Sequence, residues 1–164
     1  MAMEELRNME LKSYPVFSLK GYITHAKMLS IYDGDTANII FMYNYIMMHV
    51  KARFIGYDAN EMKPHLNDPK REEKKQKAKI AKQRLWTLCT NNEDDENCNN
   101  PHKTLIQIKC DDYDKYGRLL ILAFAENTNI SDKEEKELFE LSINSQMIKE
   151  GHGYEYFGGT KQEF

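Results

Sequence analysis

An α+β fold built on a five-stranded β-barrel is the architecture that this sequence predicts, and three observations support it. Residues 21–54 contain three stretches of strand-forming apolar residues separated by short polar turns. Two further stretches of this kind lie at residues 104–110 and 119–124. Between these groups, residues 70–89 lack Gly and Pro and carry a helical pattern. We therefore expect a barrel with two to three packed helices.

The first three predicted strands form an antiparallel meander. Asp33-Gly34-Asp35 provides the first tight turn and Tyr43-Asn44 the second. Gly, Asn and Asp favour such turns because they tolerate backbone angles that other residues avoid.

The predicted helix over residues 70–89 has one apolar stripe, formed by Ala78, Ala81, Leu85 and Leu88 at helical spacing. Trp86 lies off this stripe, so we expect it to cover an edge of the core. The basic residues of this segment have two interpretations, a solvated helix face or an electrostatic attraction for a polyanion.

The second half of the chain adds a hairpin and more helix. Residues 90–102 are rich in Asn and acids and predict a solvated loop, and a turn at 114–117 joins the last two strands. Ser131 and Glu134 resemble a capping box, which predicts a helix that continues to Glu150 and stops at Gly151. Five strands with a helix before the fourth is the order of an OB-type barrel. We expect a polar extension at residues 1–18 and one domain at 19–164.

Composition restricts the functional classes. The chain has 164 residues, of which 41% are hydrophobic, and this fits one globular domain. Its formal net charge of −3 argues against a protein that binds nucleic acid over its whole surface. Its longest apolar run, residues 119–125, is too short to span a bilayer, and no secretory signal is visible. Three cysteines without C-x-x-C spacing predict free thiols. We expect an intracellular protein without a membrane partner, with secretion after leader removal as the alternative.

Two aspartates at predicted strand ends are candidate ligands for a hard cation. Asp35 follows a turn glycine and Asp58 closes the third strand region. Oxygen-only ligation suits Ca²⁺ or Mg²⁺ and not zinc. The alternative for Asp35 is a turn stabilised by its own side chain.

Two arginines and a glutamate complete a set of groups suited to phosphodiester cleavage. Arg53 and Arg118 are permanently charged and can each hold two phosphate oxygens. Glu61 lies three residues after Asp58, where it could reach a water near the cation. The alternatives are a structural ion pair for Arg53 and a solvated loop acid for Glu61.

These stretches together resemble the staphylococcal nuclease (thermonuclease) family. The matching segments are Tyr32-Asp33-Gly34-Asp35-Thr36, residues 53–61 with their internal spacing, and Asp114-Lys115-Tyr116-Gly117-Arg118. Residues 144–151 also resemble the family pattern. The similarity covers roughly residues 21–157, with Ala59-Asn60 where the family often has Thr-Pro.

The resemblance implies an OB-fold nuclease that hydrolyses DNA and/or RNA with Ca²⁺ as cofactor, Mg²⁺ or another divalent ion being less favoured. It implies Ca²⁺ ligation by Asp35, Asp58 and the Ala59 carbonyl. In the same way it implies that Glu61 acts as a general base, and that Arg53 and Arg118 stabilise the reacting phosphate. Lys115 and Tyr116 belong to the implied substrate-binding set, in which Tyr116 hydrogen-bonds a neighbouring phosphate.

Two points stay open at this stage. The resemblance implies low sequence specificity and 3′-phosphate products. It places one tyrosine against the nucleobase, which can be either Tyr154 or Tyr156. The alternative function is a catalytically silent nuclease-like OB module that binds nucleic acid or protein.

Overall fold

The computed structural model describes residues 2–159. Met1 and residues 160–164 lie outside it, and so do the two outer ends of the predicted extension and domain. The helices are α1 (Ala2–Arg7), α2 (Arg71–Thr90), α3 (Glu135–Leu141) and α4 (Ile143–Lys149), with a 3₁₀ turn at Leu11–Ser13. The strands are β1 (Ile23–Asp33), β2 (Thr36–Tyr43), β3 (Ile46–Phe54), β4 (Gly56–Asp58), β5 (Ile106–Tyr113), β6 (Leu119–Ala125) and β7 (Tyr154–Tyr156).

Five strands close a barrel in the order β1-β2-β3-β6-β5. All neighbours are antiparallel except β3 and β6, which run parallel through Ala52 to Phe54 and Leu119 to Ile121. The predicted α+β fold with a five-stranded OB-like barrel is thus confirmed. The helices α2, α3 and α4 bury side chains, whereas α1 buries none, so the number of packed helices also agrees.

The β2–β3 hairpin is regular from Thr36 opposite Arg53 to Tyr43 opposite Ile46. Its turn lies one residue later than predicted, because Asn44 and Tyr45 are the two central residues, with φ of 50° and 64°. Both values are positive, as a tight hairpin turn with right-handed twist requires.

The core fills the barrel and continues under α2. Ala78, Ala81 and Leu85 are buried as predicted, but Leu88 is only partly buried. The expectation for Trp86 was wrong: it is 1% exposed and lies fully inside the core. A 20-residue helix packed on a curved barrel buries a wider arc than one narrow stripe.

Three predictions about the loops and helix ends also need correction. The capping box at Ser131 does not form, since α3 begins after Glu134 and that residue makes no side-chain cap. The predicted continuous helix is interrupted at Ser142, whose Oγ accepts a hydrogen bond from the N–H of Ser145 and starts α4. The loop over residues 90–102 is partly buried, because Asp95 accepts hydrogen bonds from the backbone of Asn99 and Asn100.

Asn144 anchors α4 to the barrel. Its side chain is fully buried, and its Oδ1 accepts a hydrogen bond from Ala123 N–H at 3.0 Å. Its Nδ2 donates to the carbonyls of Ile55 and Ile121 at 2.8 and 3.0 Å. One amide therefore joins the helix, β6 and the corner between β3 and β4.

Cys89, Cys98 and Cys110 are free, as the spacing predicted, and all three are buried. Burial raises the pKa of Cys110 to about 11, so this thiol stays protonated at neutral pH. Within residues 2–159, no helix combines the length and the apolar character needed to cross a membrane.

Candidate active site

One cavity of about 260 Å³ collects nearly all of the predicted site residues. Since one water takes roughly 30 Å³ of liquid volume, the cavity has room for a phosphate group with several waters. Its lining comprises Asp33, Asp35, Arg53, Asp58, Ala59, Glu61, Lys115, Tyr116, Arg118 and Tyr156. Of the predicted residues, Tyr154 is the one outside this lining, and Asp33 is present without having been assigned a role.

The barrel topology explains why residues so distant in sequence meet here. Thr36 pairs with Arg53 across the β2–β3 hairpin, so the turn that carries Asp35 lies beside the end of β3. The parallel contact between β3 and β6 places Arg53 opposite Leu120, two residues after Arg118. Closure of the barrel therefore brings the three motifs to one end.

Arg53 lies between the two predicted metal ligands. Its Nη2 is 3.1 Å from Asp58 Oδ1, and its Nη1 is 3.5 Å from Asp35 Oδ2. All three side chains are nearly buried, at 12%, 8% and 9% exposure. The guanidinium also donates to the carbonyls of Phe54 and Tyr57 at 3.1 and 3.3 Å. The ion pair considered from the sequence is present, and it holds Arg53 inside the cavity.

Asp35 is a buried carboxylate with several donors. Its Oδ1 accepts from the hydroxyl of Thr36 at 3.0 Å, and its Oδ2 accepts from Ala59 N–H at 3.1 Å. Burial raises the pKa of Asp35, and the nearby charge of Asp58 adds to this, although Arg53 and the Ala59 N–H act in the opposite direction. Burial therefore disfavours the ionised form of Asp35 more than its partners favour it.

Asp33 is the lining residue that the sequence reasoning missed. Its Oδ1 accepts a hydrogen bond from Met62 N–H at 2.9 Å, which ties the first turn to the loop after Glu61. Burial raises its pKa, and the charges of Asp35 and Glu61 raise it further. The sequence could have indicated Asp33 as a site residue, because it belongs to the same three-residue turn as Asp35.

Arg118 is held by the turn that precedes β6. Asp114 Oδ1 accepts from the backbone N–H groups of Tyr116 and Arg118, both at 2.9 Å, and its Oδ2 accepts from Arg118 Nε at 2.7 Å. The Arg118 guanidinium lies 5.3 Å from the centre of the Tyr116 ring, and Lys115 Nζ lies 5.1 Å from it. Cation–π contact and the carboxylate thus orient a cationic wall of the cavity.

The two C-terminal tyrosines have different surroundings, which the sequence left open. β7 pairs with β4, a two-stranded sheet that was not predicted, and this places Tyr154 opposite Asp58. Tyr154 donates its hydroxyl to Asp58 Oδ2 at 2.9 Å, whereas the Tyr156 hydroxyl donates to the Gly159 carbonyl. Only Tyr156 lines the cavity among these two.

A glycine allows β7 to approach so closely. A Cβ on Gly153 would lie 2.6 Å from Tyr57 Cδ2 and 2.9 Å from the Asp58 carbonyl oxygen, distances that the backbone there does not allow. The strand bearing Tyr154 can therefore reach Asp58 only because residue 153 has no side chain.

The donor set fits a hard divalent cation. Asp33, Asp35, Asp58 and Glu61 face the cavity with Arg53, Arg118 and Lys115. Burial is the main cause that raises the pKa of Asp33 and of Asp35, and a neighbouring acid adds to it in each case. Each carboxylate has about four lone-pair sites, so Asp35 and Asp58 keep capacity for a cation. Within residues 2–159, no three His, Cys, Asp or Glu side chains converge on one point. Two carboxylates, a carbonyl and waters would have to form the ligand shell, which suits Ca²⁺ or Mg²⁺.

Comparison with known proteins adds no family assignment: neither a scan of protein-family models nor a search of curated proteins found a match. The similarity to staphylococcal nuclease, and the roles that it implies for these residues, stay predictions.

Proposed function

We propose that this protein is a metal-dependent nuclease of the staphylococcal nuclease type, which hydrolyses phosphodiester bonds in DNA and/or RNA. The observation that carries this proposal is the joint presence of four acids, two arginines and a lysine around one small cavity. Phosphodiester hydrolysis develops negative charge on phosphate oxygens, and preorganised cations stabilise such charge best where water is limited.

The arginines would hold the reacting phosphate. Arg53 is nearly buried and is fixed by three hydrogen-bond acceptors and by the ion pair with Asp35, so its reorganisation during the reaction would be small. Arg118 is anchored by Asp114 through Nε, which leaves its terminal nitrogens to contact a second phosphate oxygen. Ca²⁺ held by Asp35, Asp58 and the Ala59 carbonyl would supply further positive charge beside the phosphate.

Glu61 would act as the general base. It lines the cavity in the loop after Asp58 and is exposed, so a water can stand between it and the phosphate. The water oxygen attacks phosphorus while its proton passes to Glu61. The bond from phosphorus to the 5′-oxygen breaks, and that oxygen takes a proton from solvent. The products would be a 3′-phosphate and a 5′-hydroxyl.

The remaining lining residues would bind the rest of the substrate. Lys115 and Tyr116 lie on the rim next to Arg118, where they can contact an adjacent phosphate. The ring of Tyr156 is the better placed of the two tyrosines to meet a base. None of these contacts reads base identity, which agrees with low sequence specificity.

The test is cleavage of labelled single-stranded DNA and RNA with Ca²⁺, with Mg²⁺ and with a chelator. We expect cutting with Ca²⁺, loss of cutting with chelator, and fragments that end in 3′-phosphate by mass spectrometry. Equal and negligible cutting in all conditions would refute the nuclease. If the same samples bound DNA without cutting it, the silent binding module would be the correct function.

A further inference from the structure

A second feature of the barrel extends away from the cavity along β3. Ala52 and Phe54 are fully buried, so the alternate positions face outward, as strand geometry requires. Lys51, His49 and Met47 are exposed, and together with Arg53 they form a row that we call the β3 row. The row begins in the cavity at Arg53 and ends beside the β2–β3 turn.

The acids near the β3 row lie at its cavity end, where Asp35 and Asp58 pair with Arg53. Residues 36–57 contain no Asp or Glu, and neither do residues 13–32, although the whole chain has a net charge of −3. Lys51 stands opposite Asn38, His49 opposite Ile40, and Ile40 in turn pairs with Lys27 of β1. The outer face of this part of the sheet is therefore cationic to neutral in an acidic protein, which favours a polyanion as occupant.

The far end of the row carries an exposed aromatic ring in an unusual backbone conformation. Tyr45 is 94% exposed and has a φ of 64°. Gly or Asn is the usual residue at this second turn position, because a bulky side chain at positive φ is strained. The neighbouring Ile46 and Met47 are each 62% exposed. A locally unfavourable residue that buries nothing is more consistent with contact to a partner than with stability of the hairpin.

We propose that the β3 row is a binding track for single-stranded nucleic acid, in which Lys51 contacts phosphates and Tyr45 stacks on a base. This inference rests on the proposed nuclease function, since the track would guide the strand into the cavity at Arg53. From Arg53 to Met47 the row spans roughly 20 Å, at about 3.3 Å per residue. Single-strand sites on OB folds cover ~4–16 nucleotides and combine cationic grooves with stacking rings.

The test is binding of fluorescent oligonucleotides in the presence of chelator, where cutting does not interfere. Two lengths should be used, about 3 and about 12 nucleotides, on either side of the lower site size. Lys51→Ala should lower affinity for the long oligonucleotide and reduce the slope of log K against log salt by about 0.7. Tyr45→Asn should lower the affinity for the long oligonucleotide about tenfold, whereas Tyr45→Phe should bind it like the wild type. The short oligonucleotide should respond to neither change.

The controls separate this inference from the nuclease proposal. Lys103→Ala removes an exposed lysine ahead of β5, outside the track, and should leave binding unchanged. Asn suits positive φ, so Tyr45→Asn should keep the hairpin folded, which thermal unfolding checks.

If the wild type cuts DNA but the track variants behave like Lys103→Ala, the proposed track is wrong and the nuclease proposal stands. If the variants weaken binding while the wild type cuts nothing, the track stands and the nuclease is wrong. Equal competition by duplex DNA, or an effect of Tyr45→Phe as large as that of Tyr45→Asn, would also overturn a stacked single strand.

Discussion

Tyr154 and Asp58 are joined by a hydrogen bond of 2.9 Å from the phenol hydroxyl to Oδ2, across the pairing of β7 with β4. The opposite oxygen of Asp58 contacts Arg53, so the carboxylate is held from two sides. Because Tyr154 orients a candidate metal ligand in this way, we expect it to affect cation binding more than contact with a nucleobase of the substrate.

Tyr154→Phe should therefore weaken Ca²⁺ binding. Loss of a partner that orients a ligand typically reduces metal affinity 10–100-fold, and we expect about tenfold here, measured by calorimetry. Tyr156→Phe is the matched control, because that hydroxyl contacts the Gly159 carbonyl and no candidate ligand. A larger loss of Ca²⁺ affinity in Tyr156→Phe than in Tyr154→Phe would contradict this assignment.

Arg118→Ala should reduce the rate of cleavage strongly and stability little. By analogy with other preorganised donors, loss of one such group costs about 3–4 kcal/mol of barrier, or roughly 10²–10³ in kcat. Arg84→Ala is the control, since Arg84 forms a comparable ion pair with Glu150 at 2.8 Å away from the cavity. Both variants should unfold close to the wild-type temperature. Similar rates in the two variants would exclude a catalytic role for Arg118.

Glu61→Ala should remove the base. General-base catalysis is worth typically ~10²–10⁴ in rate, so we expect a loss in this range with DNA affinity preserved. A Glu61→Ala variant that cleaves DNA at the wild-type rate would show that another group takes the proton.

Asn144→Ala should destabilise the fold by about 3 kcal/mol, because three buried backbone groups lose a hydrogen-bond partner. Urea unfolding gives the free energy of unfolding for comparison. Gln146→Ala, two residues along α4, removes a partly exposed amide that contacts Glu150, and should cost far less. Equal losses in the two variants would contradict the anchoring role of the buried amide, because Ala favours the helix at both positions.

Asp114, in the turn before β6, should make the stability of the fold depend on pH in the acid range. Burial favours a higher pKa for Asp114, but the hydrogen bonds from Arg118 and from Tyr116 N–H outweigh it and leave the pKa below the ordinary 3.8. The folded state then binds this proton less tightly than the unfolded chain. The stability due to ionised Asp114 is thus full above pH 3.8 and is lost as the pH falls through the lower folded pKa.

Asp114→Asn should accordingly be less stable than the wild type at neutral pH, and the difference should shrink as the pH falls below 3.8. Thermal unfolding across this range measures the effect. Arg118→Ala should show a smaller acid-linked loss, since it lacks the guanidinium partner. A difference between wild type and Asp114→Asn that stays constant with pH would refute this linkage.

Local chemistry predicted the elements well where one short pattern decides the backbone. Gly34 between two aspartates predicted the β1–β2 turn, and the absence of Gly and Pro over residues 70–89 predicted α2 almost to its ends. The failures came where distant partners decide. Trp86 is buried because a curved barrel covers more of α2 than its stripe, and Ser142 interrupts the last helix because α4 must turn Asn144 into the barrel.

By itself the sequence determined which chemical groups this protein possesses: the acids, the arginines and the turns that carry them. Only the tertiary structure decided that they share a cavity, because closure of β3 against β6 sets Arg53 beside the Arg118 segment. It also gave Tyr154 and Tyr156 different surroundings, because the pairing of β7 with β4 depends on contacts nearly 100 residues apart, as in the Tyr154–Asp58 hydrogen bond with its separation of 96. A residue pattern records what a local segment favours, whereas the position of one segment on another follows from packing of the whole core.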